Sequence, residues 1–181
     1  MHSATACACR AEKKAPTAAS IDSQNVKMAG QPGERGYDAG KKVDGRKRHL
    51  LVDTLGLILR VVVHRADIQD RDGAKLLLER ARWFGWLQVI WADGGYAGKL
   101  LDWVADARLG RRARLVIVKK SDAPGFTVLP RRWVVERTHA WLSRYRRLAR
   151  DYEVKTDHSE AFTYIASCSL MARRLAKSTL N

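Results

Sequence analysis

The stretch LQVIWADGGYAG, residues 87–98, decides how this chain reads. Leu87–Ala92 is a short apolar run with Val, Ile and Trp, the composition of a buried strand. It stops on an acid, Asp93, followed by Gly94 and Gly95. Ala97–Ala107 then places Leu100, Leu101 and Val104 at helical spacing, facing inward. A strand, an acid and a helix in that order put Asp93 just past the carboxyl end of the strand. Open α/β sheets commonly build their sites there.

Working outward, the same alternation continues. Arg71–Trp83 carries Ala74, Leu77, Leu78 and Ala81 on one helical face, with Asp70 or Asp72 placed to cap it. Arg48–Asp53 (RHLLVD) and Leu57–His64 (LILRVVVH) flank Thr54-Leu55-Gly56 and read as a hairpin. Ala18–Val26 reads as a strand carrying Asp22, and the Gly-rich, charged Met28–Gly45 as a loop. Arg114–Val118 is a last strand; Arg131–Arg150 and Ser159–Lys177 are helices. Opening hairpins followed by alternating elements predict an α/β fold, a mixed sheet flanked by helices.

With 181 residues, one domain is expected. We expect a disordered leader over 1–16, the folded domain over 17–177 and a short tail over 178–181. The net charge of +15 points to a polyanionic partner, with nucleic acid the first reading. No basic amphipathic helix with an exposed aromatic face favours a membrane surface. The longest apolar run, Leu57–Val63, is interrupted by Arg60, and MHSATACACR lacks a signal-peptide core. A cytoplasmic location and no membrane partner are therefore expected. Cys7, Cys9 and Cys168 lack zinc-like spacing and read as reduced thiols.

Three acids stand out, each with two readings. Asp22 is either an unpaired strand carboxylate, costly unless it binds metal or a partner, or a strand-end turn residue with Ser23 and Asn25. Asp93 is either a turn residue whose glycines supply positive φ, or an acid whose glycines admit a phosphate. Glu136 lies in the Arg131–Arg150 helix. There Val134, Trp141, Tyr145 and Leu148 make an apolar stripe opposite Arg132, Glu136, His139, Ser143 and Arg147. It either pairs with Arg132 four residues back, or faces a metal while Arg132 faces a phosphate. Residues 131–150 hold seven arginines against this single acid, an imbalance that favours function. Asp44, Asp53, Asp67, Asp70 and Asp72 read as caps or ion-pair partners. His49, His64 and His139 read as structural, since hard cations prefer oxygen.

Two basic patches have separate readings. Lys41, Lys42, Arg46, Lys47 and Arg48 form a run that serves either solubility or a phosphate-gripping loop. The arginine helix, with Arg132, Arg137, Arg144 and Arg147 beside core-facing Trp133, Trp141 and Tyr145, is the better candidate for DNA contact. Such contacts hold a backbone without reading sequence.

The blocks IDSQNVK, GYDAGKKVDGRKRHLLVDTLGLIL, ADIQDRDGA, ADGGYAG and LPRRWVVERTHAWLSRYRRLARDYE occur in that order, within a match that runs from about Ser20 to Leu175. Together they resemble the RNase H-like catalytic domain of DDE transposases from bacterial insertion sequences, in the insertion-sequence-5 type group. The resemblance implies that Asp22, Asp93 and Glu136 are the catalytic, metal-binding triad, holding two Mg²⁺ (or Mn²⁺) ions. It implies cleavage at transposon ends and joining to target DNA, by a homo-oligomer. Arg132 matches the arginine of the family's signature. Leu129 and Ser143 stand where a tyrosine and a basic residue are expected, with Arg144 next door. Relatives carry a helical DNA-binding region before the first acid, so an upstream-frame segment could supply it. The alternative is a truncated, inactive DNA-binding remnant that regulates transposition; a nuclease of the same fold is a third reading.

Overall fold

The computed structural model describes residues 15–106, 113–118 and 132–179. Its strands are β1 (Ala18–Lys27), β2 (Gly36–Asp38), β3 (Val43–Asp53), β4 (Ile58–Arg65), β5 (Val89–Ala92) and β6 (Arg114–Ile117). Its helices are α1 (Asp70–Ala81), α2 (Lys99–Asp106), α3 (Trp133–Ser143), α4 (Arg146–Ala149) and α5 (Thr156–Thr179), with a single 3₁₀ turn over Gly94–Tyr96.

β1 pairs antiparallel with β3, which pairs antiparallel with β4 and, at its start, with β2. On its other side β1 pairs parallel with β5, and β5 with β6. This is the expected mixed sheet, in RNase H-like order. Side chains alternate across it. Ala19, Ile21, Leu51 and Val62 meet Leu77, Leu78 and Leu100 of α1 and α2 on one face. Leu50, Val52, Val61 and Val63 meet Val134, Val135, Leu142 and Ala166 of α3 and α5 on the other. No described helix is long and apolar enough to cross a membrane.

Several expectations need correction. The Met28–Gly45 loop contains β2 and the start of β3, because Tyr37 and Asp38 pair with Asp44 and Val43. Gln69, not an aspartate, occupies the start of α1, and it makes no side-chain cap; Asp70 and Asp72 lie in the first turn, where acids suit the helix dipole. Leu101 is exposed rather than inward. α5 runs two residues into the expected tail. Cys7, Cys9, Leu129, Arg131 and most of the expected leader lie outside the described residues.

The largest correction is to the Arg131–Arg150 helix, which breaks after Ser143. The Ser143 hydroxyl donates to the His139 carbonyl at 2.9 Å, a bond that loosens the local ladder. Arg144 and Tyr145 amides then bond three residues back, and Tyr145 turns extended. The break resets the helical phase. The buried face of α3 is Val134, Val135, Thr138, His139 and Leu142, so His139 faces inward and Trp141 does not share the stripe. Thr138 also donates to the Gly56 carbonyl at 3.0 Å. Gly56 itself sits at φ +83, and a Cβ there would press on Thr138 Oγ1 at 2.8 Å, so the hairpin turn requires glycine.

Candidate active site

Asp22 lies within β1, directly across from Leu50 of β3. It therefore shares the face that α3 covers. The parallel register pairs Ser20 with Trp91. Two further steps along each strand bring Asp22 level with Asp93, on the same face as the α3 side chains. Asp93 is fixed by its own turn: its Oδ1 accepts the Gly95 amide at 2.9 Å. Neither Gly94 nor Gly95 has positive φ; Gly98, at φ +90, takes that conformation instead. A Cβ on Gly94 would meet nothing within 4 Å, so space is open there, whereas a Cβ on Gly95 would lie 3.1 Å from Asp93 Oδ1.

Glu136 occupies the first turn of α3, half exposed, with Oε1 2.7 Å from Arg132 Nη2. One turn on, His139 is buried with Nε2 3.8 Å from Asp22 Oδ2, which ties this face of α3 to β1. That separation exceeds a hydrogen bond, and it is no ion pair. Burial first, and then the nearby Arg48 cation, hold the His139 imidazole down to about 3, so it is neutral.

Asp22 carries the electrostatic signature of the site. Its pKa is pushed up to about 6, first by burial and then by the carboxylates of Asp93 and Glu136, against the amide of Ser23 and the Arg132 cation. The charges of Asp93 and Glu136 thus both reach Asp22. Both acids are turned to local donors, Asp93 to Gly95 and Glu136 to Arg132. Among the described residues, no three acids, histidines or cysteines form a ready-made metal cluster. The donor set nevertheless fits a hard cation: only oxygens, from three elements, with one carboxylate partly desolvated and destabilised by its neighbours.

This shift carries a pH prediction. The unfolded Asp22 carboxyl titrates near 3.8 and the folded one near 6. Between these values the folded chain binds more protons, so stability falls as pH rises across that window. In EDTA, Asp22→Asn should therefore gain stability over wild type as pH climbs from about 4 to 7, by on the order of 2 kcal/mol. Melting temperatures of the two proteins across that pH range check it; parallel curves would contradict it.

The basic run divides. Lys41 and Lys42 are exposed, but Arg46, Lys47 and Arg48 are buried in β3 and are not a phosphate-gripping loop. Arg46 donates to the carbonyls of Glu34, Glu153 and Val154 at 2.7–2.8 Å and lies 3.3 Å from Asp151. Lys47, on the opposite face, reaches Asp70 at 3.0 Å, Asp38 at 3.3 Å and the Ile68 carbonyl at 2.7 Å. Arg48 is enclosed near His139 with Nε and Nη1 unpartnered among the described residues, and burial lowers its pKa to about 10. In the arginine helix, Arg137 lies over Trp133 and Trp141 and donates to the Leu55 carbonyl, and Arg147 pairs with Glu153 at 2.8 Å. Arg144 is exposed. The enclosure of His139 beside Asp22 has no local signal in the sequence, because it depends on which face of α3 packs on β1.

An RNase H-like sheet with acids at two adjacent parallel strands and on a covering helix defines the class of protein. A family model described as the transposase DDE domain matches residues 13–171, and the chain belongs to that family. Over 138 residues it is 30% identical to a "Putative transposase for insertion sequence element IS402" of Burkholderia cepacia. That alignment covers 68% of this chain and 61% of the relative, so the chain spans under two thirds of the relative's length. Among solved structures it is similar to part of a piggyBac transposase in a synaptic complex with hairpin DNA, studied by cryo-electron microscopy. The identity there is 14% and the TM-score 0.39, over 61% of this chain and 24% of that one.

Proposed function

We propose that this chain is the catalytic part of an insertion-sequence transposase, cutting DNA at the element's ends and joining them to target DNA. Asp22, Asp93 and Glu136 are its catalytic residues and would together hold two Mg²⁺ or Mn²⁺ ions. Family membership supports the reading, and the observation that carries it is the register that brings Asp22 level with Asp93 on adjacent parallel strands, beneath the helix that carries Glu136. Bound divalent ions supply activation of the attacking hydroxyl and stabilisation of the leaving oxygen. Asp22 contributes a carboxylate screened from bulk water, which makes its interaction with any cation stronger. Arg132 restrains Glu136 at 2.7 Å and is the nearest cation for a scissile phosphate once the acid turns away. Lys41 and Lys42, exposed, would meet the DNA backbone, as would Arg144. The active form would be a cytoplasmic homo-oligomer.

The pairing of Glu136 with Arg132 favours a second reading, a regulatory DNA-binding remnant without activity. A strand-transfer assay on the element's end DNA with Mg²⁺ separates the two. The proposal expects cleaved and joined products that vanish in EDTA. A salt-sensitive gel shift with no product in either condition would support the remnant instead.

A further inference from the structure

The broken arginine helix and the C-terminal end of α5 enclose a groove of about 620 Å³ that the catalytic reading leaves unused. Its rim carries Arg144, Arg173, Arg174 and Lys177, with no acid among the lining residues. Its floor is Trp141, Tyr145 and Leu170. Arg174 is fixed in place: its guanidinium lies 4.2 Å from the centre of the Trp141 ring, and Nη1 donates to the Leu55 carbonyl at 3.2 Å. The phenol oxygen of Tyr145 is enclosed and finds no hydrogen-bond partner among the described residues.

We propose that this groove binds an unpaired stretch of DNA strand. Four cations without a neighbouring acid select a polyanion. They do not explain the floor, because duplex DNA offers phosphates outward while its bases stay stacked inside. The Arg174 guanidinium, held over Trp141, together with the Tyr145 and Leu170 side chains offers surfaces that suit a base free to stack. The groove begins at Trp141, on the helix that carries Glu136, so a strand held there stays close to the proposed cutting site. The inference thus rests on the transposase reading for its biological setting, but not for its measurement.

The test uses the full chain in EDTA, with fluorescence anisotropy of a labelled oligothymidylate and of a duplex of equal length. Arg173→Glu with Lys177→Glu should weaken single-strand binding at least about tenfold, and Tyr145→Leu, which removes the ring, several-fold. A control of equal charge change at exposed sites elsewhere, Arg35→Glu with Arg82→Glu, should cost under about threefold. Should the charge-reversed chain not fold by circular dichroism, Arg173→Gln with Lys177→Gln should lower the salt slope by about 1.4, roughly 0.7 for each phosphate left without its cation. Equal losses from groove and control variants, an unchanged slope, or equal losses for duplex and single strand would overturn the proposal. So would a wild-type chain without affinity for the oligothymidylate. None of these outcomes requires cleavage, so failure of the groove and failure of the catalytic reading are told apart.

Discussion

Replacing Asp22, Asp93 or Glu136 by its amide is expected to lower metal-dependent strand cleavage roughly a thousandfold or more, while DNA affinity stays within about twofold. The size comes from what each acid is asked to do. Two-metal chemistry draws several kcal/mol of barrier lowering from the ions, and each 1.4 kcal/mol is about tenfold in rate. An amide keeps the volume and loses the charge, so a binding site for a divalent ion loses an anionic oxygen ligand with little disturbance of packing. Asp22→Asn should be the most informative of the three. Its carboxylate is the one raised to about 6 by burial and by its two neighbours. The variant should therefore be inactive yet more stable than wild type in EDTA at neutral pH. That combination distinguishes a functional acid from a structural one, since loss of a structural acid would lower both. Cleavage at wild-type rate in any one variant removes that residue from the site.

The second large effect concerns stability. Asp151 and Arg46 are both enclosed, with 1% of each side chain exposed. Around Asp151, Arg46 approaches at 3.3 Å, the Ser159 hydroxyl donates at 2.7 Å and the Glu153 amide donates at 3.0 Å. Its backbone also binds the end of β1, through Lys27 and Ala29. One ion pair thus fastens the turn between α4 and α5 to the ends of the interior strands β1 and β3. Removing one partner leaves the other charged, buried and uncompensated, at a cost of about 3–5 kcal/mol. Arg46→Met or Asp151→Ala should lower the melting temperature by roughly 10 °C, at about 2–4 °C per kcal/mol for a chain of this size. The double variant Arg46→Met/Asp151→Leu should recover much of that loss, because packed apolar groups replace a buried pair at little cost. Equal melting of wild type and the single variants would refute the assignment.

Much of this architecture is legible in the sequence because its signals are local. The Val- and Leu-rich strands, the spacing of Ala74, Leu77 and Leu78, and the glycine turn at Gly56 each act over a few residues. Asp93 at the end of β5 emerges from the same reasoning. The failures share one cause, dependence on contacts far along the chain. Arg46, Lys47 and Arg48 look like a solvated basic run until the register places them mid-sheet. Arg46 then meets carbonyls 107 and 108 residues away, and Lys47 is held by Asp38 and Asp70. The α3 stripe departs from its expected composition because the helix packs with Val135, Thr138, His139 and Leu142 inward beside Val134, and because the break after Ser143 rotates Tyr145 and Leu148. His139 comes beside Asp22 only through the packing of α3 on β1, and the groove beyond Trp141 exists only where α5 returns to it. The three acids stand out by their neighbours in sequence and by family resemblance; that they share a face of the sheet comes only from the register of β1 against β3 and β5.

The most direct measurement is calorimetric titration of the chain with Mn²⁺, without DNA, for wild type and for Asp22→Asn, Asp93→Asn and Glu136→Gln. If folding gathers these carboxylates around shared ions, wild type binds Mn²⁺ and each amide weakens that binding by at least about tenfold, as loss of one charged ligand should. Binding of equal strength in all four proteins would contradict the account and place any metal elsewhere.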